Sequence, residues 1–312
     1  MLTGKIALVT GASRGAGRGI ALQLGEAGAT VYVTGRTTRE KPADVGGTIE
    51  DTADEVTRRG GRGIAVRCDH ADDAQTEALF DRIRSEQQRL DLLVNNVWGG
   101  YEKGMPPQFW EQPLPWDGMF VRGLRAHLVA SRLAVPLMLR EKPRRQFAGM
   151  CQKCNLPVYA GEKASPGDLG FFKHDRDCVA DLAAKEAHAL IVTTIAWLDG
   201  KYLGVYYDVA KGAIVRMAWA LAQELRPYGI ASVALAPGFM RSERVMKAHG
   251  KHPFDLAHTE STEYVGRAVV ALASDTKVMR KSGAALATGD LAREYGFTDV
   301  DGSRPVPFRV PG

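Results

Sequence analysis

The chain has 312 residues, of which 45% are hydrophobic and 25% are charged, so it can bury a substantial core as an ordinary globular protein. Its formal net charge of +5 suits an anionic small ligand, but acidic residues are interspersed with lysine and arginine, which argues against nucleic-acid binding. No apolar run approaches the roughly 20 residues that cross a bilayer, and the first residues lead directly into a strand. We therefore expect a cytoplasmic protein with no signal peptide and no membrane attachment.

Short apolar segments alternate with helical segments along most of the chain. Strands are predicted at residues 5–10, 30–34, 63–68, 90–95, 189–194 and 230–235, and the helices between them include 20–27 and 50–59. Buried strands alternating with helices are typical of a parallel sheet covered on both faces. The chain contains no internal repeat and no linker. We therefore expect one α/β domain over residues 1–312, with a doubly wound parallel sheet of the Rossmann type.

A glycine-rich turn follows the first strand and opens the first helix. Its candidate cofactor-binding residues are Gly11, Ser13, Arg14, Gly15, Ala16 and Gly17. Glycine lets the backbone approach a pyrophosphate, whose negative charge is met by the N-terminus of the helix. The context predicts a dinucleotide-binding site, with a plain turn as the alternative interpretation.

The second strand ends at Thr34-Gly35-Arg36, so it carries no acidic residue to accept hydrogen bonds from a free adenosine 2′-hydroxyl. Arg14 and Arg36 offer charge-assisted hydrogen bonds to a 2′-phosphate. The sequence thus predicts that NADPH is preferred to NADH. In the alternative interpretation Arg36 is simply solvated.

Tyr207 and Lys211 are four residues apart in a segment of helical character. Positions i and i+4 share one face of a helix, so the ammonium group can lie beside the phenol. A nearby cation stabilises phenolate and lowers the tyrosine pKa from about 10, which suits a general acid in carbonyl reduction. The spacing alone also fits an ordinary surface pair.

Four motifs in a fixed order resemble the short-chain dehydrogenase/reductase family over residues 3 to about 307, apart from an insertion. These are the glycine-rich turn, Asn95-Asn96-Val97-Trp98-Gly99, the pair Tyr207 and Lys211, and Pro237-Gly238. The resemblance implies that Asp69 contacts adenine, Asn95 supports the cofactor, and Pro237 and Gly238 lie by the nicotinamide. It also implies that Tyr207 donates or accepts the proton and that Lys211 holds the nicotinamide ribose. A homodimer or homotetramer is implied as well.

Two positions depart from the pattern of that family. Thr194 stands where the family has a serine that hydrogen-bonds the substrate carbonyl, and its hydroxyl offers the same donor and acceptors. Phe120 and Val121 occupy the region in which the family has an asparagine whose backbone helps to hold a proton-relay water. The resemblance therefore implies Thr194, Tyr207 and Lys211 as catalytic residues and leaves the rate of turnover open.

Residues 141–188 form an insertion between a long helix ending near Arg140 and the strand that begins at residue 189. The insertion supplies Cys151, Cys154, His174 and Cys178 in two closely spaced pairs. Zinc prefers four nitrogen and sulfur ligands, and a polar loop without a hydrophobic core gains stability from the ion. We expect a structural zinc site remote from hydride transfer, with His188 as a substitute ligand. The alternatives are a redox-active cysteine pair, a disulfide and unrelated thiols.

Together these features predict an NADPH-dependent oxidoreductase that interconverts a carbonyl and an alcohol. The alternative is an NADP(H)-binding scaffold or sensor with weak or no turnover, whose zinc loop recruits a protein partner. The pair Tyr207 and Lys211 favours the enzyme, because a scaffold has no need of it. The sequence does not identify the substrate. Candidate residues at the border of an apolar pocket are Trp98, Trp197, Phe239 and Met240.

Overall fold

A computed structural model describes residues 1–99, 108–112, 116–140, 147–154, 157–159, 163–174, 185–196 and 204–307. Its central sheet has seven strands, which are β1 (Ile6–Val9), β2 (Thr30–Gly35), β3 (Arg62–Arg67), β4 (Leu92–Asn95), β9 (Ala189–Thr194), β10 (Ile230–Ala236) and β11 (Ala285–Ala287). They are ordered β11-β10-β9-β4-β1-β2-β3, and every neighbouring pair is parallel. The direction of winding reverses between β1 and β4, which is where ligands bind in open sheets of this type.

Helices cover both faces of this sheet. They are α1 (Gly15–Glu26), α2 (Ile49–Arg58), α3 (Asp73–Gln87), α4 (Ala126–Met138), α5 (Val205–Leu225), α6 (Glu243–Lys251), α7 (Thr262–Ser274) and α8 (Thr288–Tyr295), and a π-helical segment (Trp116–Arg125) leads into α4. One core joins the strands to α1, α2 and α7 through residues such as Ile20, Val56 and Leu272. A second core joins them to α3 and α4 through Phe80 and Leu137. The predicted doubly wound sheet is confirmed.

Continuous burial explains why β9 and β10 were predictable from the sequence. All seven residues of β10 and all six of β9 are buried, as expected for strands covered on both faces. The edge strand β3 is only partly buried, because it pairs with β2 alone. Helix α1 begins at Gly15, within the glycine-rich turn that was predicted to open it.

The described parts of the insertion contain secondary structure that the sequence did not predict. Strands β5 (Phe147–Met150) and β6 (Pro157–Tyr159) form one antiparallel pair, and β7 (Ala164–Pro166) and β8 (Phe172–His174) form another. Their small core contains Cys151, Val158 and the partly buried Phe172. The expectation of a loop without a core is therefore corrected. Three- and four-residue strands are too short to show an apolar period.

The two ends of the insertion are held together by His188. The Nε2 atom of His188 lies 2.8 Å from the carbonyl oxygen of Met138 at the end of α4, and its backbone N–H donates to the carbonyl of Gly229. This arrangement lies at the amino ends of the strands, opposite the edge to which their carboxyl ends point. His188 thus connects the two ends of the insertion, and the cluster of metal-ligand side chains among the described residues consists of Cys151, Cys154 and His174 without it. Within the described residues, no helix is both long and apolar enough to cross a membrane.

Candidate functional site

The predicted site residues follow the carboxyl ends of successive parallel strands. Gly11 follows β1, Arg36 follows β2, Asp69 follows β3, Asn95 ends β4, Thr194 ends β9 and Pro237 follows β10. Parallel strands place these ends along one edge of the sheet. Residues that are far apart in the sequence are therefore brought to a single edge, while the insertion is attached at the other.

The glycine-rich turn is fixed by Asn96, whose role the sequence did not reveal. The side-chain amide of Asn96 donates to the carbonyl oxygens of Thr10 (2.9 Å) and Gly11 (3.0 Å). Gly11 has a φ of 66°, a conformation that favours glycine, and a Cβ atom at Gly17 would lie 2.4 Å from the Gly11 oxygen. Both glycines are therefore needed for the backbone to close this turn.

The N-terminus of α1 already accommodates a negative charge. The backbone N–H of Gly15 donates to Oε2 of Glu243 at 2.8 Å, and the first turn of α1 contains no acidic residue of its own. A Cβ atom at Gly15 would meet only the Cβ atom of Ser242 at 4.0 Å, so the backbone of Gly15 is not crowded on that side. The carboxylate stands in for an anion such as a phosphate oxygen, and the position fits the pyrophosphate of a dinucleotide. Glu243 could not be found from the sequence, because it lies 228 positions away.

Arg14 lies against the loop that follows β2. Its Nη2 atom donates to Oγ1 of Thr37 at 2.8 Å and to the carbonyl oxygen of Gly47 at 3.3 Å. Burial lowers the pKa of Arg14, and the nearby charge of Arg36 acts in the same direction. The guanidinium groups of Arg14 and Arg36 thus lie near each other, beside the loop that follows β2.

Arg36 is exposed, and its Nη1 atom lies 3.7 Å from Oδ2 of Asp69. An exposed pair at this distance contributes little to stability, so the arginine is available to another anion. Asp69 is also fixed locally, because its Oδ1 accepts the backbone N–H of Ala71. The acidic and basic groups predicted to surround the adenosine therefore lie side by side.

Tyr207 and Lys211 occupy the predicted i and i+4 positions of α5. The Lys211 side chain is buried, and its Nζ atom lies 3.5 Å from the centre of the Trp98 ring and 5.8 Å from that of Tyr207. Trp98 and Tyr207 meet edge to face at 5.6 Å. Gly123 makes room for the indole, since a Cβ atom there would lie 2.6 Å from the Trp98 ring. The role of Trp98 as the surface beneath the ammonium group was not predicted.

Burial lowers the pKa of Lys211 to about 7. The charged form is disfavoured by removal from water, and the faces of the two aromatic rings offset part of that cost. The charge next to Tyr207 consequently changes close to neutral pH.

Thr194 and Asn95 meet across the pair of strands β4 and β9. The hydroxyl of Thr194 donates to the backbone oxygen of Asn95 at 3.3 Å and lies 3.4 Å from Oδ1 of Asn96. The Asn95 amide donates to Ser131 at 2.9 Å, while its buried Oδ1 has no hydrogen-bond partner among the residues that the structure describes. A buried acceptor of this kind fits a support for a ligand or a water.

The loop that contains Pro237 and Gly238 is hydrogen-bonded to Glu260. The backbone N–H of Glu260 donates to the carbonyl of Phe239, and the backbone N–H of Arg241 donates to that of Glu260. Burial raises the pKa of the Glu260 carboxyl to about 8, and the N–H of Gly238, which donates to this carboxyl, acts in the opposite direction. A buried acid that is neutral near pH 7 thus supports the loop predicted to border the nicotinamide.

Three of the four predicted zinc ligands come together in the insertion. The ligand atoms of Cys151, Cys154 and His174 all lie within 4.8 Å of one another, and Cys154 Sγ is 3.6 Å from His174 Nδ1. Burial raises the pKa of Cys151, but backbone N–H groups that donate to its sulfur, including that of His174, outweigh this effect and lower it to about 6. Cys178 and Trp197 lie outside the described residues.

The chain belongs to the short-chain dehydrogenase/reductase family and is therefore an enzyme of the oxidoreductase class. A family model for short chain dehydrogenases matches residues 5–146. Among individual relatives, Dehydrogenase/reductase SDR family member 1 of Mus musculus is 34% identical, with 98% of this chain and 86% of that protein covered. Enzymes of this family use NAD or NADP.

Solved structures share the fold. A short chain dehydrogenase from Mycobacterium thermoresistibile has a TM-score of 0.72 at 23% identity, with 98% of this chain and 92% of that chain covered. A short chain dehydrogenase from Burkholderia cenocepacia J2315 in complex with NADP has a TM-score of 0.62 at 22% identity, with 92% and 96% covered. At these identities the similarity shows the Rossmann-type fold.

Proposed function

We propose that this enzyme uses NADPH to interconvert a carbonyl and an alcohol by hydride transfer. The observation that carries the proposal is the buried Lys211 ammonium group beside the Tyr207 ring on one face of α5. A buried cation favours phenolate and thereby makes proton exchange by the tyrosine feasible near neutral pH. Burying a lysine is costly, and a chemical role for its charge accounts for that cost.

Each catalytic side chain has a defined role in this proposal. The Tyr207 hydroxyl gives its proton to the carbonyl oxygen during reduction and takes it back during oxidation. The Thr194 hydroxyl hydrogen-bonds the same oxygen and orients it, and the charge of Lys211 keeps the Tyr207 proton labile. Bound NADPH supplies the hydride. Lys211 also has the donors to hold the nicotinamide ribose.

The glycine-rich turn is proposed to bind the pyrophosphate, which would take the place of the Glu243 carboxylate at the N-terminus of α1. Arg14 and Arg36 are proposed to pair with the 2′-phosphate, since Arg14 hydrogen-bonds to Thr37 in the loop after β2 and Arg36, which follows β2, is exposed. Asp69 is assigned to the adenine. The remaining proposed contacts to the nicotinamide half are made by Asn95, Pro237 and Gly238.

A panel of aldehydes and ketones, followed by the absorbance of NADPH, tests the proposed reaction. We expect at least one carbonyl class to be reduced, and more slowly with NADH than with NADPH. If NADPH binds but no member of a chemically broad panel is reduced, the carbonyl reaction is wrong and the scaffold alternative is favoured.

We further propose that the insertion binds one structural zinc ion through Cys151, Cys154, His174 and Cys178. A tetrahedral ion with bonds of about 2.3 Å to sulfur and about 2.0–2.1 Å to nitrogen separates these atoms by about 3.5–3.6 Å. The 3.6 Å between Cys154 Sγ and His174 Nδ1 fits that value. The N–H groups that favour the Cys151 thiolate also suit a metal ligand, because zinc binds the deprotonated sulfur.

A structural role for zinc is supported by the place at which the insertion is attached. The contact between His188 and Met138 lies at the amino edge of the sheet, away from Thr194. Four protein ligands would also leave no open position for substrate or water. The redox and disulfide alternatives are less suited to the approach of His174 to both cysteines.

We propose that the enzyme forms a homodimer or homotetramer. Helices α4 and α5 expose large apolar side chains, Leu128 on the first and Val209 and Trp219 on the second. Exposed apolar side chains on neighbouring helices suit an interface between copies of the chain. Sedimentation analysis tests this assignment, and a monomer at micromolar concentration would overturn it.

A further inference from the structure

A buried histidine lies close to the catalytic lysine. His127 is in the first turn of α4, with 1% of its surface exposed, and its Nε2 atom lies 2.9 Å from the carbonyl oxygen of Val97. A carbonyl oxygen only accepts hydrogen bonds, so Nε2 must carry the proton. The Nδ1 atom is then an acceptor with a free lone pair.

That lone pair is buried, and Nδ1 of His127 has no hydrogen-bond partner in the described part of the chain. Leaving a buried acceptor unpaired costs about 1–3 kcal/mol, so such atoms commonly have a task or a bound water. Val97 already satisfies the other nitrogen. The bond to Val97 therefore does not explain why an imidazole stands at this position.

Consecutive residues connect His127 to Lys211. Val97 accepts the hydrogen bond from His127, and the next residue, Trp98, lies beneath the Lys211 ammonium group at 3.5 Å. Burial lowers the pKa of His127 to about 3, and the positive charge of Lys211 is the next contribution in the same direction. The imidazole thus stays neutral, and the ammonium group is within electrostatic range of it.

We propose that His127 is a positioning residue for Lys211. A single water accepts a hydrogen bond from the Lys211 ammonium group and donates one to Nδ1 of His127. The proposal rests on the proposed role of Lys211. Nζ of Lys211 carries N–H donors and lies near two aromatic rings, which leave these donors without an oxygen or nitrogen acceptor from the described residues. One water satisfies both groups and fixes the direction in which the ammonium group points.

The neutral acceptor favours the charged form of Lys211 and so opposes the effect of burial. Besides Lys211, the titratable group that acts on His127 is His70 after β3, and burial lowers the pKa of His70 to about 4, so it is neutral as well. Tyr207 faces Lys211 from the same helix. Neither histidine supplies a negative charge, so loss of the Nδ1 acceptor should lower the pKa of Lys211.

Two substitutions separate the two nitrogens of His127. In His127→Gln, the terminal amide can still reach Val97, but no acceptor remains at the position of Nδ1. In His127→Asn, the shorter side chain places its oxygen near the position of Nδ1 and loses Val97. If His127 acted in packing alone, the Asn variant would be the less stable of the two, because its side chain is shorter and loses Val97.

The test is a pH titration of the cofactor-free enzyme labelled with ¹³C at the lysine ε-carbon, in which Lys211→Met identifies the Lys211 resonance. The wild-type midpoint is expected at about pH 7. It should fall by about one pH unit in His127→Gln and stay near the wild-type value in His127→Asn. An unchanged midpoint in the Gln variant, or equal shifts in both variants, would overturn the proposal.

If either variant fails to fold, ¹⁵N-histidine spectra replace this comparison. Lys211→Met should move the Nδ1 resonance of His127 and leave its Nε2–H resonance in place, and an unmoved Nδ1 resonance would overturn the proposal. Both measurements are independent of turnover. Failure of the carbonyl reaction would therefore be recognised separately, in the substrate panel.

Discussion

The sheet framework and the insertion differ in what stabilises them. In the framework, strands such as β10 are buried throughout, and two large cores lie on the two faces of the sheet. In the described part of the insertion, the buried cluster contains only Cys151 and Val158, with three partly buried neighbours. The framework folds by burying apolar surface, whereas so small a cluster needs another source of stability. The three clustered metal-ligand side chains fit that need.

The same comparison separates the two regions by function. The proposed chemistry lies at the carboxyl edge of the sheet, and the insertion is anchored by His188 at the amino edge. If this division is right, changes in one region should leave the properties of the other nearly intact. The substitutions below test this independence.

Of the substitutions in the sheet framework, Tyr207→Phe should have the largest effect on catalytic activity. Removal of the hydroxyl removes the general acid and should lower kcat/KM by about 10²–10⁴-fold for any active carbonyl substrate. NADPH affinity and zinc content should remain near wild type. Tyr206→Phe is the matched control, because it changes the neighbouring tyrosine and should keep activity. A Tyr207→Phe enzyme with near wild-type kcat/KM would refute the proposed mechanism.

Cys151→Ser combined with Cys154→Ser should act on the insertion alone. Wild-type enzyme purified without chelator should contain about one zinc per chain, and the double variant should contain none. Trypsin should then cleave the insertion faster, since the region has several lysines and arginines, while NADPH still binds. Cys68→Ser is the control, because this cysteine lies outside the insertion. Loss of NADPH binding in the double variant would show that the two regions are coupled.

Arg36→Ala should affect only the choice of cofactor. Loss of a charge-assisted hydrogen bond should weaken NADPH binding roughly tenfold and leave NADH binding nearly unchanged. Titration calorimetry with both cofactors measures the difference. Arg39→Ala is a suitable control, because this arginine pairs with Asp51 and Asp54 on α2. An unaltered preference in Arg36→Ala would remove the assignment.

A rise in pH should weaken the framework through Glu260. Its pKa rises on folding from 4.5 to about 8, so the stability it contributes is full below about pH 4.5 and is lost as the pH rises through 8. Glu260→Gln should therefore flatten the fall in melting temperature between pH 5 and 8 by several °C. Zinc binding should respond in the opposite direction, because falling pH protonates the thiolates. If the melting temperatures of the variant and the wild type fell by the same amount between pH 5 and 8, this assignment would be contradicted.

The sequence predicted the framework more fully than the insertion. Runs of branched apolar residues such as those of β9 mark strands within one or two residues, and the glycine-rich turn marks the first helix. The strands of the insertion contain residues such as Pro157 and Gly149, which form no apolar period. Their pairing depends on contacts that local sequence does not encode.

The candidate site was predictable where its chemistry depends on local spacing. The i and i+4 relation of Tyr207 and Lys211 is readable from the sequence, as is the pairing of Cys151 with Cys154. The approach of Glu243 to Gly15 and that of His127 to Val97 result from the packing of separate elements. Such contacts become visible only when the fold is known.

The proposed hydride transfer is tested most directly with NADPH that carries deuterium at the transferable C4 position. An active carbonyl compound is incubated with the labelled cofactor, and the alcohol is analysed by mass spectrometry and NMR. We predict one deuterium on the former carbonyl carbon in the wild-type product and almost none formed by Tyr207→Phe. The account would be contradicted by an alcohol without deuterium at that carbon, or by equal rates of labelled product from both enzymes.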